Sequence, residues 1–276
     1  MGYVINLKGS GNNFNRNDEI KEVYFLTPSY LSGLKNSNDL SQLGGCISLN
    51  TPLIRGTGAA HFNQAMTAAS IQRADADLTY SFPLKNGSVW RHFGYATWFY
   101  LDSVPGIGDS YTFFAKGLFT VGVKFSFDIF VGPAYGPTLF IKWNHPVSSW
   151  NSGNLFPTAS MTFGKLYFIA IGYADFAVGT YGAKDIIAYL YDYDADTEYT
   201  YSGTSTFSPA FDTSPFCNGC NYISAPNYQE QFDGIKNEEV FFRTPPSLDD
   251  MKLIRRNLYN ATSGYKPFLS GFRISL

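Results

Sequence analysis

The sequence predicts an all-β chain: a two-sheet antiparallel β-sandwich or jelly roll, with an irregular N-terminal arm and one short C-terminal helix. Three observations lead there. Aromatic residues make up 18% of the 276 residues, including 25 Phe and 20 Tyr, and such side chains suit a half-buried pleated surface. Charged residues reach only 15%, beside 26 Gly and 14 Pro, a balance that favours strands joined by tight turns. Residues 119–129 alternate strictly, with Phe119, Val121, Val123, Phe125, Phe127 and Ile129 on one side and Thr120, Gly122, Lys124, Ser126 and Asp128 on the other. That period of two puts one face in a core and the other in water or against a partner.

Along the chain, residues 1–75 differ from the rest. Asn, Ser, Gly and Leu are frequent, and segments such as GSGNNFNRND and LKNSNDLSQLGG carry turn chemistry rather than a sustained period. VYFLTPSYL reads as a short strand ending before its proline. This segment is expected either to lie across a neighbouring subunit as an arm, or to contribute a strand and loops to its own domain. From residue 76 to 276 a single domain follows, with strands expected near 94–101, 110–115, 119–129, 138–143, 165–173, 186–193, 198–202, 239–243 and 270–276. Turn signals PGIGD, GPAYGP, NSGN, YGAKD and DADT separate them, and short strands at such spacing suit a sandwich. The final strand would pair with an N-terminal one near Tyr3–Leu7. The helix signal is Ser247-Leu248-Asp249-Asp250, an N-cap with an acidic first turn, followed by Met251, Leu253, Ile254 and Leu258 at helical spacing.

Several classes are excluded. Hydrophobicity is too high and net charge too low for a disordered chain, and no heptad supports a coiled coil. Twenty basic and 22 acidic residues give a net charge of -2 without a basic cluster, so no nucleic-acid partner is expected. No run of 18 apolar residues occurs, which argues against membrane insertion through a helix. The first 21 residues turn polar too early for a secretory signal; the expectation is a chain that is not exported by that route, or one whose signal has been removed. Cys46, Cys217 and Cys220 are an odd set and cannot close a disulfide framework. Cys217-Asn218-Gly219-Cys220 has C-x-x-C spacing but no second pair for zinc, and reads as a turn closed by Asn-Gly.

The order of segments resembles the laminin-G-like and concanavalin A-like lectin-glucanase jelly-roll family. Tyr95-Ala96-Thr97-Trp98-Phe99-Tyr100-Leu101 is similar to its early Trp-bearing strand, and Asp109 to Gly117 to the next, ending in Ala-Lys-Gly. Gly164 to Ile171 and Ile187 to Asp192 resemble its following pair of strands. Phe232-Asp233-Gly234-Ile235-Lys236-Asn237-Glu238-Glu239-Val240-Phe241-Phe242, then Ser247 to Lys252, is similar to the family's strand leading into a short helix. The likeness spans about 180 residues, with two departures: one extra residue between Gly234 and Glu239, and the long N-terminal segment. The resemblance implies two curved sheets packed face to face, with Trp98 and Tyr167 expected as core aromatics, the alternative being exposed platforms for sugar rings.

Some proteins of this fold are glycoside hydrolases, whose paired carboxylates sit on alternate residues of one strand. This chain has no E-x-D-x-E; its nearest approach, Asp192-x-Asp194-x-Asp196-x-Glu198, lies where the family has a hairpin turn. Motifs of other hydrolases and nucleotide-binding enzymes are missing too, so a non-enzyme is expected. The same run offers calcium ligands at Asp192, Asp194 and Asp196, but an EF-hand would need Gly and Glu where Thr197 and Gly203 stand. A solvated turn is the plainer reading. Asn86-Gly87-Ser88 and Asn260-Ala261-Thr262 match the glycosylation pattern and decide nothing alone.

Three functions follow from these readings. The first is a non-catalytic structural or adhesive component, on a virion surface or extracellular, contacting other subunits of an assembly through its N-terminal arm. The second is a secreted or cell-surface carbohydrate-binding module, implied by the resemblance. The third, a glycan-cleaving enzyme, is disfavoured by the missing carboxylate pattern. If glycans bind, the expected ligand-binding residues are Trp143, Trp150, Asp192, Asp194 and Asp196, because stacking aromatics beside acidic acceptors suit hydroxyl-rich rings.

Overall fold

The computed structural model describes residues 7–8, 13–14, 20–24, 41–43, 47–48, 60–62, 70–80, 82–87, 92–107, 109–117, 124–131, 137–145, 148–151, 155–156, 161–224, 227–229 and 231–257. The strands in order are β1 (Leu7–Lys8), β2 (Asn13–Phe14), β3 (Ile20–Tyr24), β4 (Ser41–Leu43), β5 (Ile47–Ser48), β6 (Ala60–Phe62), β7 (Ser70–Arg73), β8 (Phe93–Leu101), β9 (Ser110–Gly117), β10 (Lys124–Val131), β11 (Pro137–His145), β12 (Ser148–Asn151), β13 (Leu166–Ala174), β14 (Asp185–Asp192), β15 (Thr197–Thr204), β16 (Phe216–Asn218), β17 (Asn221–Ser224), β18 (Asn227–Gln229) and β19 (Gly234–Phe242). A 3-10 turn spans Asp75–Asp77, and one helix, α1, spans Leu248–Asn257.

Two large antiparallel sheets form a sandwich. One runs β12-β11-β10-β9-β16-β7-β4, the other β15-β14-β13-β8-β19-β6-β5, with β3 also paired to β19. Strands from the first 75 residues enter both: β4 and β7 extend the first, while β6 and β3 take successive halves of one edge of β19 in the second. Of the alternating run 119–129, residues 124 onward lie in β10; 119–123, like the expected strand at 270–276 and residues 3–6 of its expected partner, lie outside the described residues, while Leu7 lies in β1, which pairs with β2.

The gap between the sheets is filled by rings. Tyr95, Phe99, Phe113, Phe114, Phe127, Tyr167, Phe216, Phe232 and Phe241 all belong to one core of nearly inaccessible side chains. Adjacent residues of a strand normally face opposite ways, yet Phe113 and Phe114 both enter this core. A β-bulge explains it: Phe127 pairs with Phe114 and Asp128 with Thr112, leaving Phe113 as the extra residue. Phe113 stacks on Phe127 at 4.8 Å, and Phe114 meets Tyr95 at 4.6 Å. Such ring pairs add stability beyond the area they bury.

The helix makes a third layer. Ser247 caps it reciprocally: its hydroxyl accepts from the Asp250 amide at 3.2 Å, while the Asp250 carboxylate accepts from the Ser247 amide at 3.0 Å. Met251 and Ile254 bury themselves on the outer face of the β8-β13-β14-β19 sheet, against Ala96, Trp98, Phe168, Ala170, Val240 and Phe242. Tyr167 is therefore core between the sheets, whereas Trp98 is core beneath the helix. Among the described residues no helix is long and apolar enough to cross a membrane.

Candidate functional site

Register decides which loops meet. Leu101 pairs with Gly234, Tyr100 with Leu166, Tyr167 with Asp192, and Asp192 with Thr197. The segments 102–107, 161–165, 193–196 and 231–233, with Asp109 leading into β9, therefore leave the sandwich at one end. They are tied together by backbone bonds from Gly164 N to Leu101 O (2.8 Å), Tyr193 N to Leu166 O (3.0 Å) and Asp102 N to Asp233 O (3.2 Å). Ser103 donates to Asp233 Oδ2 at 2.5 Å; with its one proton so used, it accepts from the Tyr111 hydroxyl at 2.6 Å. Burial pushes the Tyr111 phenol up, against that Ser103 bond, so it remains a donor. His61 Nε2 contacts the Asp102 carboxylate.

This rim exposes what a core would normally hide. Ile107 is 74% exposed, Phe163 65% and Tyr193 40%. Asp102, Asp109, Asp194 and Asp196 are exposed among them. Tyr193 leans edge-on towards Trp98 and Tyr191, at 6.3 and 6.4 Å between ring centroids, so its ring is propped rather than free to collapse.

The acidic run forms the β14–β15 hairpin turn. Asp192 is 6% exposed, and its Oδ1 accepts from the amides of Asp194 and Ala195, both at 3.0 Å, an Asx-type closure. Asp196 sits at φ 49, a left-handed conformation that Asp tolerates, and accepts from the Tyr191 hydroxyl at 2.6 Å. Glu198 faces the helix, accepting from Tyr189 at 2.9 Å and pairing with Lys252 at 2.9 Å and Arg255 at 3.2 Å. Burial works against its charge, yet the Lys252 and Tyr189 bonds and the two cations hold its carboxyl below the usual range. Asp192 and Asp196 thus serve the turn, and no group of three or more His, Cys, Asp or Glu able to hold a metal ion occurs among the described residues.

Trp143 and Trp150 are cross-strand partners on β11 and the edge strand β12. β11 starts at the rim end, where β10 and β9 put Phe130 opposite Ser110, and Trp143 lies seven residues into it, roughly 20 Å along the strand at the usual rise. The tryptophans and the Asp192–Asp196 turn therefore belong to different sheets and opposite ends, and the backbone builds no single site from all five.

A second polar assembly lies wholly inside. Lys236, Glu239, Asn218 and Tyr95 are each 0% exposed. Lys236 Nζ donates to Phe113 O at 2.6 Å, to Glu239 Oε1 at 3.0 Å and to Asn218 Oδ1; Asn218 Nδ2 donates to Glu239 Oε2, and the Tyr95 hydroxyl to Glu239 Oε1. The amine lies 4.7 Å from the Phe62 ring centroid and 5.4 Å from that of Phe232. Burial pushes the lysine down from its ordinary value, with Glu239 opposing; burial and then Glu239 push the Tyr95 phenol well up. Nearby, Cys217 and Cys220 are both buried and free. Gly219, at φ 81, makes a bend between β16 and β17 rather than the expected closed Asn-Gly turn: its amide donates to Phe113 O and its carbonyl accepts from the Phe232 amide, both at 2.8 Å. Burial, then the Cys220 thiol, push Cys217 well up, which leaves a poor nucleophile.

Sequence reasoning passed over both assemblies. Ile107 read as part of the PGIGD turn and Tyr193 as the end of a strand, and nothing in the sequence spacing places these residues and Phe163 at one end of the fold. For the interior cluster a signal existed: the extra residue between Gly234 and Glu239.

No protein-family model matches the sequence, and no curated protein matches it. Solved structures do match in fold. Domain 4 of AbnA, a GH43 extracellular arabinanase from Geobacillus stearothermophilus solved in complex with arabinotriose, aligns at TM-score 0.55 and 13% identity, over 85% of this chain and 98% of that domain. The binding domain of botulinum neurotoxin serotype D aligns at TM-score 0.56 and 11% identity, over 87% and 52%. Tailspike protein 2 of Escherichia coli O157:H7 bacteriophage CAB120 aligns at TM-score 0.50 and 12% identity, over 73% of this chain and 25% of that one. This chain thus spans about half of the neurotoxin domain and a quarter of the tailspike. At such identities what is shared is the β-sandwich.

Proposed function

We propose that the chain is a non-catalytic glycan-binding module, working in an extracellular or virion-borne assembly. The observation that carries this reading is the rim, one end of the sandwich whose loops expose Ile107, Phe163 and Tyr193 together with Asp102, Asp109, Asp194 and Asp196. A pyranose or furanose ring offers an apolar C–H face to an aromatic side chain and hydroxyl donors to carboxylates. The fold is compatible, since one fold neighbour was solved in complex with arabinotriose. Kinship with the laminin-G-like and concanavalin-like family is part of the same proposal. So is the setting: a phage tailspike shares the fold, and residues 1–75 would contact other subunits. Binding without cleavage is supported by the commitment of Asp192 to the turn and of Glu198 to Lys252 and Arg255.

The test is a glycan array probed with the full chain, with and without a calcium chelator, followed by titration of the best hit. Phe163→Ala and Tyr193→Ala should each weaken binding about tenfold, the worth of one good ring contact, while the chelator changes nothing and the glycan is recovered intact. No retained glycan, or equal retention by the double variant, would sink the reading.

A further inference from the structure

We propose that Lys236 and Asn218 react inside the folded protein to form an intramolecular isopeptide bond, with Glu239 as the proton carrier, so that the two sheets become covalently joined. The amine Nζ attacks Cγ of the Asn218 amide. An Nζ–Cγ bond forms, the Cγ–Nδ2 bond breaks, and Nδ2 leaves as ammonia with a proton that Glu239 takes from Nζ. No electrons are gained or lost and no co-reactant enters.

The geometry supplies what this aminolysis needs. Lys236 Nζ sits on the Asn218 side-chain carbonyl, next to the carbon it must attack. The two oxygens of Glu239 are divided between the reacting nitrogens: Oε1 lies 3.0 Å from Nζ and Oε2 accepts from Nδ2. One carboxylate therefore spans the attacking and leaving groups, the position a proton shuttle must occupy. The Tyr95 hydroxyl holds it there.

An amide resists an amine in water because the amine is protonated and the encounter is brief. Both obstacles are reduced here. All three side chains are 0% exposed, and Phe62, Phe113 and Phe232 surround the amine. Burial favours the neutral, nucleophilic form of the lysine. Fixing both partners raises their effective concentration to about 10⁵–10⁸ M in well-oriented cases. Once ammonia escapes, the bond stays.

The placement also makes the bond consequential. Asn218 ends β16 in one sheet and Lys236 lies in β19 of the other, so the link crosses the sandwich at its centre. This proposal does not depend on glycan binding.

Intact-mass spectrometry of the denatured full chain tests it. The wild type should be lighter than its sequence mass by one ammonia, and a tryptic digest should yield a branched peptide joining the Asn218 and Lys236 segments. Lys236→Met and Glu239→Gln should return to full mass. Wild type at full mass, or a digest without the branched peptide, overturns the proposal whether or not the variants fold. So does an ammonia deficit that survives Lys236→Met, which is what cyclisation of Asn218 onto the Gly219 amide would give.

Discussion

Lys236 and Glu239 are three residues apart on one strand and yet face the same side, with Nζ 3.0 Å from Oε1. A regular strand would point them to opposite faces. β19 pairs Asn237 with Trp98 and Val240 with Ala96, so Glu238 and Glu239 together oppose Thr97. This bulge is the extra residue that separates the chain from the pattern it resembles. It brings Lys236, Glu239 and Phe241 inward while Val240 and Phe242 stay under the helix. Deleting Glu238 should restore a regular strand and turn the residues before it inside out. A loss above about 4 kcal/mol is expected, against a small loss for deleting Thr206 in the loop after β15; comparable urea midpoints for the two deletions would refute the bulge's role.

The second buried lysine has a different partner. Lys116 Nζ lies 2.9 Å from Asp75 Oδ1, and it also donates to Asp212 O at 2.5 Å and Ser214 O at 2.6 Å. Burial pushes this lysine down, with Asp75 opposing. Removing the carboxylate leaves a buried cation without its counter-charge, so Asp75→Ala should cost about 3 kcal/mol or more, read as a shift in the denaturation midpoint at constant slope. A loss below about 1 kcal/mol would mean the carbonyls suffice.

Gly234 stands at φ 146, and an added Cβ would lie 2.1 Å from Tyr100 O, a backbone atom that cannot swing away. Both the conformation and the space require glycine. Gly234→Ala should destabilise by about 2–4 kcal/mol, whereas Gly87→Ala, also at positive φ but with open space around it, should cost about 1 kcal/mol. Thermal melts of the two variants separate strain from collision.

His92 gives the fold an acid-sensitive point. Its Nδ1 accepts from the Asp175 amide at 3.0 Å, which requires the neutral ring. Burial pushes its pKa down from 6.5, with the Asp175 charge opposing. The unfolded chain then binds a proton before the folded one does. Stability should fall as pH drops from about 6.5 through the folded value, with a slope of at most about 1.4 kcal/mol per pH unit, and stay lost below. Relative to His92→Gln, the wild type should lose stability between about pH 7 and pH 5; parallel losses in urea titrations would exclude this histidine.

Much of the architecture was legible locally. Turn residues and alternation placed β8, β9, β13, β14 and β15 within a residue or two, and the Ser247 cap announced α1, because those signals act between near neighbours in the chain. The Asp192–Asp196 hairpin was equally readable, being closed by its own side chains. The grouping of the candidate site residues was not. Trp143 and Trp150 seemed to belong with the aspartates, yet sheet order carries them to the far end.

Composition, period and turn chemistry were sufficient for an all-β chain with a capped terminal helix, since each follows from forces that reach only a few residues. The exposed rim of Ile107, Phe163 and Tyr193, and the meeting of Asn218 with Lys236 and Glu239, came only from strand order and a single bulge. The physical reason is parity: one extra residue in a strand exchanges its faces, and which residues then meet depends on the strand packed opposite, far away in sequence.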